Sequence, residues 1–217
     1  MENKETVLVT GGSGFIGSHC IIQLAAAGYN VKATVRDLSR TNKLNQILLT
    51  GLEKHEGKSD LSVDWQVANL SSDEGWDEAV KGCDYVLHVA SPIGIELPKN
   101  EDEMVKPAVE GTLRVLKAAS KAGVKRVVIT SSVAAIMYGT EKQGVFNEED
   151  WTDPKSRTTN VYAKSKTLAE QAAWDFIKKD TTGMELSTVL PAMVFGPILE
   201  EDFGVSVGAI LDMMNGK

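Results

Sequence analysis

Residues 5–17 read E-T-V-L-V-T-G-G-S-G-F-I-G and decide the fold. The apolar, β-branched run at the start of this stretch is typical of a strand that is buried on both faces of a sheet. Gly11, Gly14 and Gly17 follow at three-residue steps, and the pattern turns helical from Phe15 onward. A strand, a glycine turn and a helix in this order predict a dinucleotide-binding site.

Each of the three glycines has its own expected role. Gly11 lets the chain turn sharply out of the strand, Gly14 lets the backbone approach a pyrophosphate, and Gly17 lets the helix pack close to the sheet. The start of the helix presents unpaired N–H groups and the positive end of its dipole to that phosphate. We therefore predict cofactor contacts at Gly11, Gly14, Phe15, Ile16 and Gly17.

Strands and helices alternate along the rest of the chain, which predicts right-handed βαβ units in a parallel sheet. The expected fold class is α/β, a Rossmann doubly wound parallel sheet in the order 3-2-1-4-5-6 with helices on both faces. The predicted strands lie at 6–10, 31–35, 63–67, 85–89, 127–130 and 186–190, and the predicted helices at 15–27, 44–49, 73–81, 101–122, 158–179 and 205–214.

Composition and charge restrict the class of function. The chain has 217 residues, of which 42% are hydrophobic and 24% charged, and its net charge is −7. An acidic balance argues against a nucleic-acid partner, and no apolar run reaches the roughly 18 residues of a membrane span. Cys20 and Cys83 are isolated, so neither a disulfide framework nor a metal site is expected. We expect a cytoplasmic protein with no nucleic-acid or membrane partner, and expect Met213 and Met214 to pack in a core.

The end of the second strand, V-R-D, decides between the two nicotinamide cofactors. Arg36 is a forked donor suited to the 2′-phosphate of NADP, and Lys43 follows after one short turn. Asp37 is the competitor, because an acidic side chain that reaches the ribose hydroxyls favours NAD. A third interpretation makes Arg36 and Asp37 a solvated surface pair. NADP (NADPH) is the predicted cofactor, with NAD as the alternative.

The ends of the third and fourth strands provide the remaining strand-end contacts. They read A-N-L-S and H-V-A-S-P, and both fall at the carboxyl edge of the sheet. A histidine inside an apolar strand is interpreted as a core residue rather than an acid–base group, which applies to His88, and His19 on the first helix has no assigned role. The predicted contacts are Asn69 and Leu70 near the adenine, and Val89, Ala90 and Ser91 beneath the nicotinamide ribose.

A second constellation, Y-A-K-S-K at 162–166, follows the strand-end motif T-S-S at 130–132. Tyr162 and Lys166 are four residues apart, so they share one helix face. Hydride delivery to a carbonyl builds an alkoxide that needs a proton donor, and a tyrosine of ordinary pKa near 10 serves better beside an ammonium that stabilises its phenolate. Ser132, Tyr162 and Lys166 are the predicted catalytic residues: Ser132 holds the substrate oxygen, and Lys166 also binds the nicotinamide ribose.

These motifs resemble the extended short-chain dehydrogenase/reductases. V-R-D, H-V-A-S-P, K-P-A-V-E-G-T, Y-A-K-S-K-T-L-A-E-Q-A-A-W and L-P-A-M-V-F-G-P are similar to the dihydroflavonol-4-reductase-like branch, which includes cinnamoyl-CoA reductases and aldehyde and ketone reductases. The resemblance covers nearly the whole chain. It implies an NADPH-dependent carbonyl reductase with Ser132, Tyr162 and Lys166 as the catalytic set, and a backbone contact from Pro191 to the nicotinamide side.

Two departures from the family pattern affect this interpretation. Ala108 stands where sugar epimerases often have an asparagine, which favours the reductase branch and makes a fourth catalytic residue on that helix unexpected. Family members also continue beyond G-P-I-L into a smaller substrate-binding lobe, which this chain largely lacks. We therefore expect a dinucleotide-binding domain at 1–195, and at 196–217 the start of a truncated lobe in a shortened form of a longer reductase.

The first functional hypothesis is an NADPH-dependent oxidoreductase that reduces a small-molecule aldehyde or ketone, as a monomer or homodimer. A nucleotide-sugar epimerase or dehydratase that keeps NAD bound is the alternative enzyme. A non-catalytic NADP-binding protein or fragment is the alternative of another class. The substrate itself depends on the loops at 93–97, at 134–138 and beyond Pro197.

Overall fold

The computed structural model describes residues 4–56, 60–92, 98, 100–199 and 204–216. The described strands form one parallel sheet in the order β3-β2-β1-β4-β5-β6, which confirms the predicted order. The strands are β1 (Thr6–Thr10), β2 (Asn30–Val35), β3 (Val63–Val67), β4 (Tyr85–His88), β5 (Arg126–Thr130) and β6 (Glu185–Val189).

Side-chain caps explain the observed starts of two helices. The Asp37 carboxylate accepts a hydrogen bond from the Ser39 amide and opens a short 3₁₀ turn (Leu38–Arg40), so the next helix begins earlier than predicted. Asn160 caps its helix by accepting from the Ala163 amide at 2.8 Å. The helices are α1 (Phe15–Ala27), α2 (Thr41–Glu56), α3 (Trp76–Val80), α4 (Asp102–Ala122), α5 (Val161–Ile177) and α6 (Gly204–Met214).

Helices cover both faces of the sheet, as predicted. Successive residues of β1 point to opposite faces, and both Leu8 and Val9 are fully buried. Leu8 belongs to the core beneath α3 and α4, with Trp76, whereas Val9 belongs to the core beneath α1 and α2, with Leu48. Burial on both faces accounts for the continuous apolar run of the first strand.

The chain after β6 returns to the start of the first helix. The Nε2 atom of His19 lies 3.0 Å from the backbone oxygen of Pro197, and the His19 ring packs edge-on against Phe15. Leu199 packs against the core beneath α1 and α2. The segment after β6 therefore lies beside the glycine turn, and His19 has a structural role in holding it there.

The expectation that Met213 and Met214 pack in a core is wrong. Their side chains are 71% and 77% exposed, and Val205 on the same helix is also exposed. No extensive contact joins α6 to any other described helix or strand. Among the described residues, no helix is both long and apolar enough to cross a membrane.

Candidate active site

The glycine turn is fixed by its contacts with the second strand. The Gly11 amide donates to Thr34 Oγ1 at 3.1 Å, and the Gly11 backbone has a φ of +68°, which favours glycine. A Cβ atom at Gly17 would lie only 2.3 Å from the Gly11 oxygen, so no side chain fits there. A Cβ at Gly14 would meet nothing closer than 3.5 Å. Helix α1 therefore needs Gly17 to pack, whereas a Cβ at Gly14 would make only an ordinary van der Waals contact.

The first turn of α1 presents backbone donors that have no acceptor among the described residues. Gly14 is the N-cap in an extended conformation, with no side-chain cap, and its oxygen accepts the first helical bond, from the Ser18 amide at 2.9 Å. The amides of Phe15, Ile16 and Gly17 have no acceptor among the described residues. Three N–H groups at the positive end of a helix dipole form a site that suits the pyrophosphate of a dinucleotide.

At the end of β2 the acidic side chain is hydrogen-bonded, whereas the cationic side chain has no partner in the part of the chain that the structure describes. Arg36 is exposed and has no side-chain partner among the described residues. Asp37 accepts from both the amide and the hydroxyl of Ser39, at 2.9 and 2.6 Å, and these hydrogen bonds lower the pKa of its carboxyl. Lys43 is exposed in the first turn of α2. The geometry thus leaves Arg36 available for a 2′-phosphate, whereas Asp37 caps a turn.

The two residues predicted near the adenine lie at the carboxyl edge of β3 and differ in burial. Asn69 is exposed, and its Oδ1 accepts from the Ser71 amide at 3.0 Å. Leu70 is half-buried against α4, where a Cβ on Gly111 would lie only 2.7 Å from Leu70 Cβ. Leu70 is therefore part of the packing between strand end and helix, and Asn69 is the more accessible of the two.

The residues after β4 pack directly against the glycine turn. The Ala90 amide donates to Thr10 Oγ1 at 3.0 Å, and a Cβ on Gly11 would come within 3.0 Å of Ala90 Cα. Val89 packs against the core beneath α1 and α2, and Ser91 is half-buried. This part of the predicted nicotinamide site is thus in contact with the predicted pyrophosphate site.

His88 is a buried core residue, as predicted. Its Nδ1 lies 2.8 Å from Thr10 Oγ1, and its Nε2 lies 3.4 Å from Thr112 Oγ1. Burial, with a smaller contribution from the charge of Lys166, lowers the pKa of His88 to about 3. The neutral imidazole thus lies between a hydroxyl on β1 and a hydroxyl on α4, and it links these two elements without carrying a charge.

Helix α5 places Lys166 at the carboxyl edge of β5. Lys166 is only 7% exposed, and its Nζ donates to the Thr130 oxygen at 3.1 Å. The same Nζ lies 6.0 Å from the centre of the Tyr162 ring. Burial lowers the pKa of Lys166 to about 8, and the negative charge of Glu170 opposes this shift. The tyrosine and lysine of the predicted catalytic set are therefore neighbours in space.

Ser132 begins a short 3₁₀ turn (Val133–Ala135) that packs against α5. Its Oγ accepts from the Ala134 amide at 3.1 Å, which leaves its hydroxyl proton free to donate. The next residue, Val133, donates its amide to the Pro191 oxygen at 3.1 Å. Pro191 therefore lies beside the segment that follows Ser132.

The Tyr162 side chain is half-buried, and its hydroxyl has no hydrogen-bond partner among the described residues. A narrow cavity of about 20 Å³ joins the ends of β4 and β5 to α4 and α5. It is lined by Ala90, Ser91, Ser131 and Lys166, among others, and it has room for about one water molecule. Of the predicted site residues, Ala90, Ser91 and Lys166 line this cavity, whereas Tyr162 and Ser132 are not among its lining residues.

The loops expected to select the substrate are described only in part. Residues 93–97 lie outside the described residues. The segment at 134–138 is held by Thr152, whose Oγ1 donates to the Ala134 oxygen and accepts from the Tyr138 amide, both at 2.8 Å.

Three residues of this site were missed from the sequence. Thr10 and Thr34 hold the glycine turn and the end of β4, and Glu170 lines the same cavity as Lys166. Hydroxyl residues near the carboxyl ends of two strands, and a glutamate four residues after Lys166, are the signals that could have indicated them.

The sheet order and the tyrosine–lysine pair beside the end of β5 are those of the extended short-chain dehydrogenase/reductases, a class of NAD(P)-dependent oxidoreductases. The chain belongs to the NAD dependent epimerase/dehydratase family, whose model matches residues 7–215.

Several named reductases are similar to this chain. It is 40% identical over 205 residues to dihydroflavonol 4-reductase of Arabidopsis thaliana, covering 92% of this chain and 52% of that protein. It is 38% identical over 216 residues to cinnamoyl-CoA reductase CAD2 of Medicago truncatula, covering 97% of this chain and 64% of that protein. The crystal structure of Gre2 from Candida albicans in complex with NADPH has a TM-score of 0.75 and 32% identity, covering 89% of this chain and 59% of that chain. The chain thus spans about half to two thirds of the length of these relatives.

Proposed function

We propose that the protein is an NADPH-dependent oxidoreductase that reduces an aldehyde or ketone to an alcohol, with Tyr162 as the proton donor. The observation that carries this proposal is the buried Lys166 ammonium, 6.0 Å from the Tyr162 ring and on the same cavity as Ala90 and Ser91. Relatives named as dihydroflavonol and cinnamoyl-CoA reductases, and a neighbour complexed with NADPH, support it.

In this proposal each side chain of the predicted catalytic set has a role. NADPH, when bound, supplies the hydride to the carbonyl carbon. Tyr162 donates its proton to the carbonyl oxygen, and the ammonium of Lys166 stabilises the phenolate that remains. The free hydroxyl proton of Ser132 hydrogen-bonds the same oxygen. Lys166 uses one of its three donors on Thr130, which leaves donors for the nicotinamide ribose.

The cofactor would be held by the residues of the preceding section. The amides of Phe15, Ile16 and Gly17 fit the pyrophosphate, and Arg36 with Lys43 fits the 2′-phosphate. Asn69 and Leu70 would contact the adenine, whereas the segment at 89–91 and Pro191 would contact the nicotinamide side.

Turnover with a carbonyl panel tests the proposal. We expect the purified protein to consume NADPH, followed at 340 nm, with at least one aldehyde or ketone and with a matching amount of alcohol formed. Isomerisation of a nucleotide sugar without net change of cofactor would instead indicate the epimerase alternative, against which Ala108 and Arg36 argue. Tight NADPH binding with no turnover of either substrate class would leave the non-catalytic alternative.

We expect Arg36→Ala to weaken NADPH binding by about ten- to a hundredfold and to leave NADH binding unchanged. The variant loses charge-assisted hydrogen bonds to the 2′-phosphate, worth about 1.5–3 kcal/mol. Fluorescence titration of both reduced cofactors measures the two Kd values. Arg126→Ala is the matched control, because Arg126 pairs with Glu185 at the amino end of β5, at the opposite edge of the sheet. Equal affinity of the unsubstituted protein for NADPH and NADH would contradict the assignment of Arg36 to a 2′-phosphate. It would instead favour NAD as the cofactor, with Asp37 at the ribose hydroxyls.

We extend the proposal to a small-molecule carbonyl substrate and a monomeric or homodimeric protein in the cytoplasm, without nucleic-acid or membrane partners. Two free cysteines suit a reducing compartment. The exposed apolar side chains of Phe195, Ile198 and Val205 are available for contact with a second copy.

A further inference from the structure

Glu170 is a buried acidic residue to which the mechanism above assigns no role. Its side chain is 5% exposed. One carboxylate oxygen accepts a hydrogen bond from the Ser131 hydroxyl, and the other accepts from Trp174 Nε1 at 3.3 Å. Burial of a carboxylate is costly unless its oxygens are hydrogen-bonded or paired with a cation. Both donors are neutral, so the charge of Glu170 remains available to act on its surroundings.

The surroundings of Glu170 include the predicted catalytic lysine. Lys166 is one helical turn earlier on α5, so the two side chains share a helix face. Both line the cavity of about 20 Å³, together with Ser131. Ser131 precedes Ser132 directly, and its amide also donates to the Val189 oxygen at 2.8 Å, which holds this strand end to β6.

We propose that Glu170 is a positioning residue for the reductase site: its carboxylate ties the strand end that carries Ser132 to α5, and its charge keeps the Lys166 ammonium protonated. The inference rests on the proposed function, because it assigns Glu170 to the support of that same site.

The groups that face Lys166 make Glu170 the source of this electrostatic support. Tyr162 and Glu170 face it from α5, and His88 faces it from β4. The cavity-lining residues of α4 and of the end of β5 are uncharged: Ala108, Thr112, Ile129, Thr130 and Ser131. Burial keeps His88 neutral above about pH 3. Glu170 is thus the one carboxylate among the described residues that line this cavity.

The sign of the effect follows from the position of the Lys166 pKa. Burial lowers this pKa to about 8. Lys166 is therefore mostly charged below pH 8 and mostly neutral above it. Removing the negative charge of Glu170 favours the neutral amine, so the midpoint of Lys166 titration moves to lower pH.

Glu170→Gln tests the proposal without any substrate. With lysine labelled by ¹³C at Cε, and with Lys166→Met used to assign the resonance, we expect the Lys166 midpoint to fall by about one pH unit. Asp175→Asn is the control, because it removes an exposed negative charge from the same helix and should leave the midpoint in place. An unchanged midpoint in Glu170→Gln would overturn the proposal.

Activity provides a second measurement. An amide oxygen at position 170 can still accept the hydrogen bond from Ser131, so Glu170→Gln removes the charge and keeps the tie. We therefore expect the kcat of Glu170→Gln to be about fivefold below that of the unsubstituted protein at pH 8 and nearly equal to it at pH 6, as a shift of one unit requires. An equal loss at both pH values would overturn the electrostatic role. If the unsubstituted protein reduces no carbonyl, the proposed function fails while the titration still decides the role of Glu170.

Ser131→Ala tests the proposal independently if Glu170→Gln does not fold. This variant removes the hydrogen bond to Glu170 and keeps the charge, so we expect kcat to fall by about fivefold with the Lys166 midpoint within a few tenths of a unit. Unchanged kcat in a folded Ser131→Ala protein would overturn the tie between strand end and helix.

Discussion

Tyr162→Phe is expected to lower kcat for carbonyl reduction by about 10²- to 10⁴-fold, the range that a positioned proton donor contributes. The phenyl ring retains the packing of the tyrosine. Because the Tyr162 hydroxyl has no hydrogen-bond partner among the described residues, its removal leaves no described polar group without its partner. We therefore expect the melting temperature and the Kd for NADPH to stay close to those of the unsubstituted protein.

Steady-state kinetics at several pH values, with fluorescence titration of NADPH, separate these effects. Tyr85→Phe is the matched control, because it removes a hydroxyl that donates to Glu5 at 3.0 Å at the amino end of β4, away from the site. Near-normal turnover by Tyr162→Phe on every carbonyl that the unsubstituted protein reduces would mean that another acid supplies the proton.

The fold was predictable because a strand that is buried on both faces has a continuous run of apolar residues. The first strand has no polar residue between Thr6 and Thr10, which is the pattern of a strand covered by helices on both sides. Helix ends were less predictable, since they depend on side-chain caps. Asp37 and Asn160 set the starts of the short turn before α2 and of α5, and neither residue was interpreted as a cap.

The predicted site residues were found from short-range spacing, such as the glycine steps and the four-residue interval between Tyr162 and Lys166. Their supporting contacts join residues far apart in the chain, as Thr10 does with Ala90 and Ser131 with Glu170. Such pairs depend on the sheet order and on helix packing, so local spacing can indicate the single residues but not which of them pair. The same limit explains the error at Met213 and Met214, because apolar character alone does not specify what packs against a helix.

Lys166 is proposed to have two roles, in proton chemistry and in cofactor binding, and one substitution tests both. Lys166→Met removes the charge and all three donors and keeps a side chain of similar length. We expect kcat to fall by about 10²- to 10⁴-fold, because the phenolate loses its stabilising ammonium. We also expect the Kd for NADPH to rise by about ten- to a hundredfold, from the loss of charge-assisted hydrogen bonds worth about 1.5–3 kcal/mol.

A general loss of folding would not account for these effects, because the buried charge of Lys166 opposes folding. Its pKa is about 8 in the folded protein and 10.5 ordinarily, so the folded state binds this proton less tightly than the unfolded state does. The charge therefore opposes folding below about pH 8, and this cost disappears as the pH rises from 8 to 10.5. Methionine removes this cost. We therefore expect Lys166→Met to be more stable than the unsubstituted protein near neutral pH, and we expect this difference in the free energy of unfolding to decline above pH 8.

Denaturant unfolding at pH 7 and pH 10 measures this difference, alongside turnover and NADPH titration at pH 7. Lys179→Met, at an exposed position after α5, is the control and should change none of the three. Lys166→Met with reduced turnover but unchanged NADPH affinity would restrict Lys166 to proton chemistry. Unchanged turnover in Lys166→Met would mean that the Lys166 ammonium has no part in the reaction, and Lys166 would then not belong to the catalytic set.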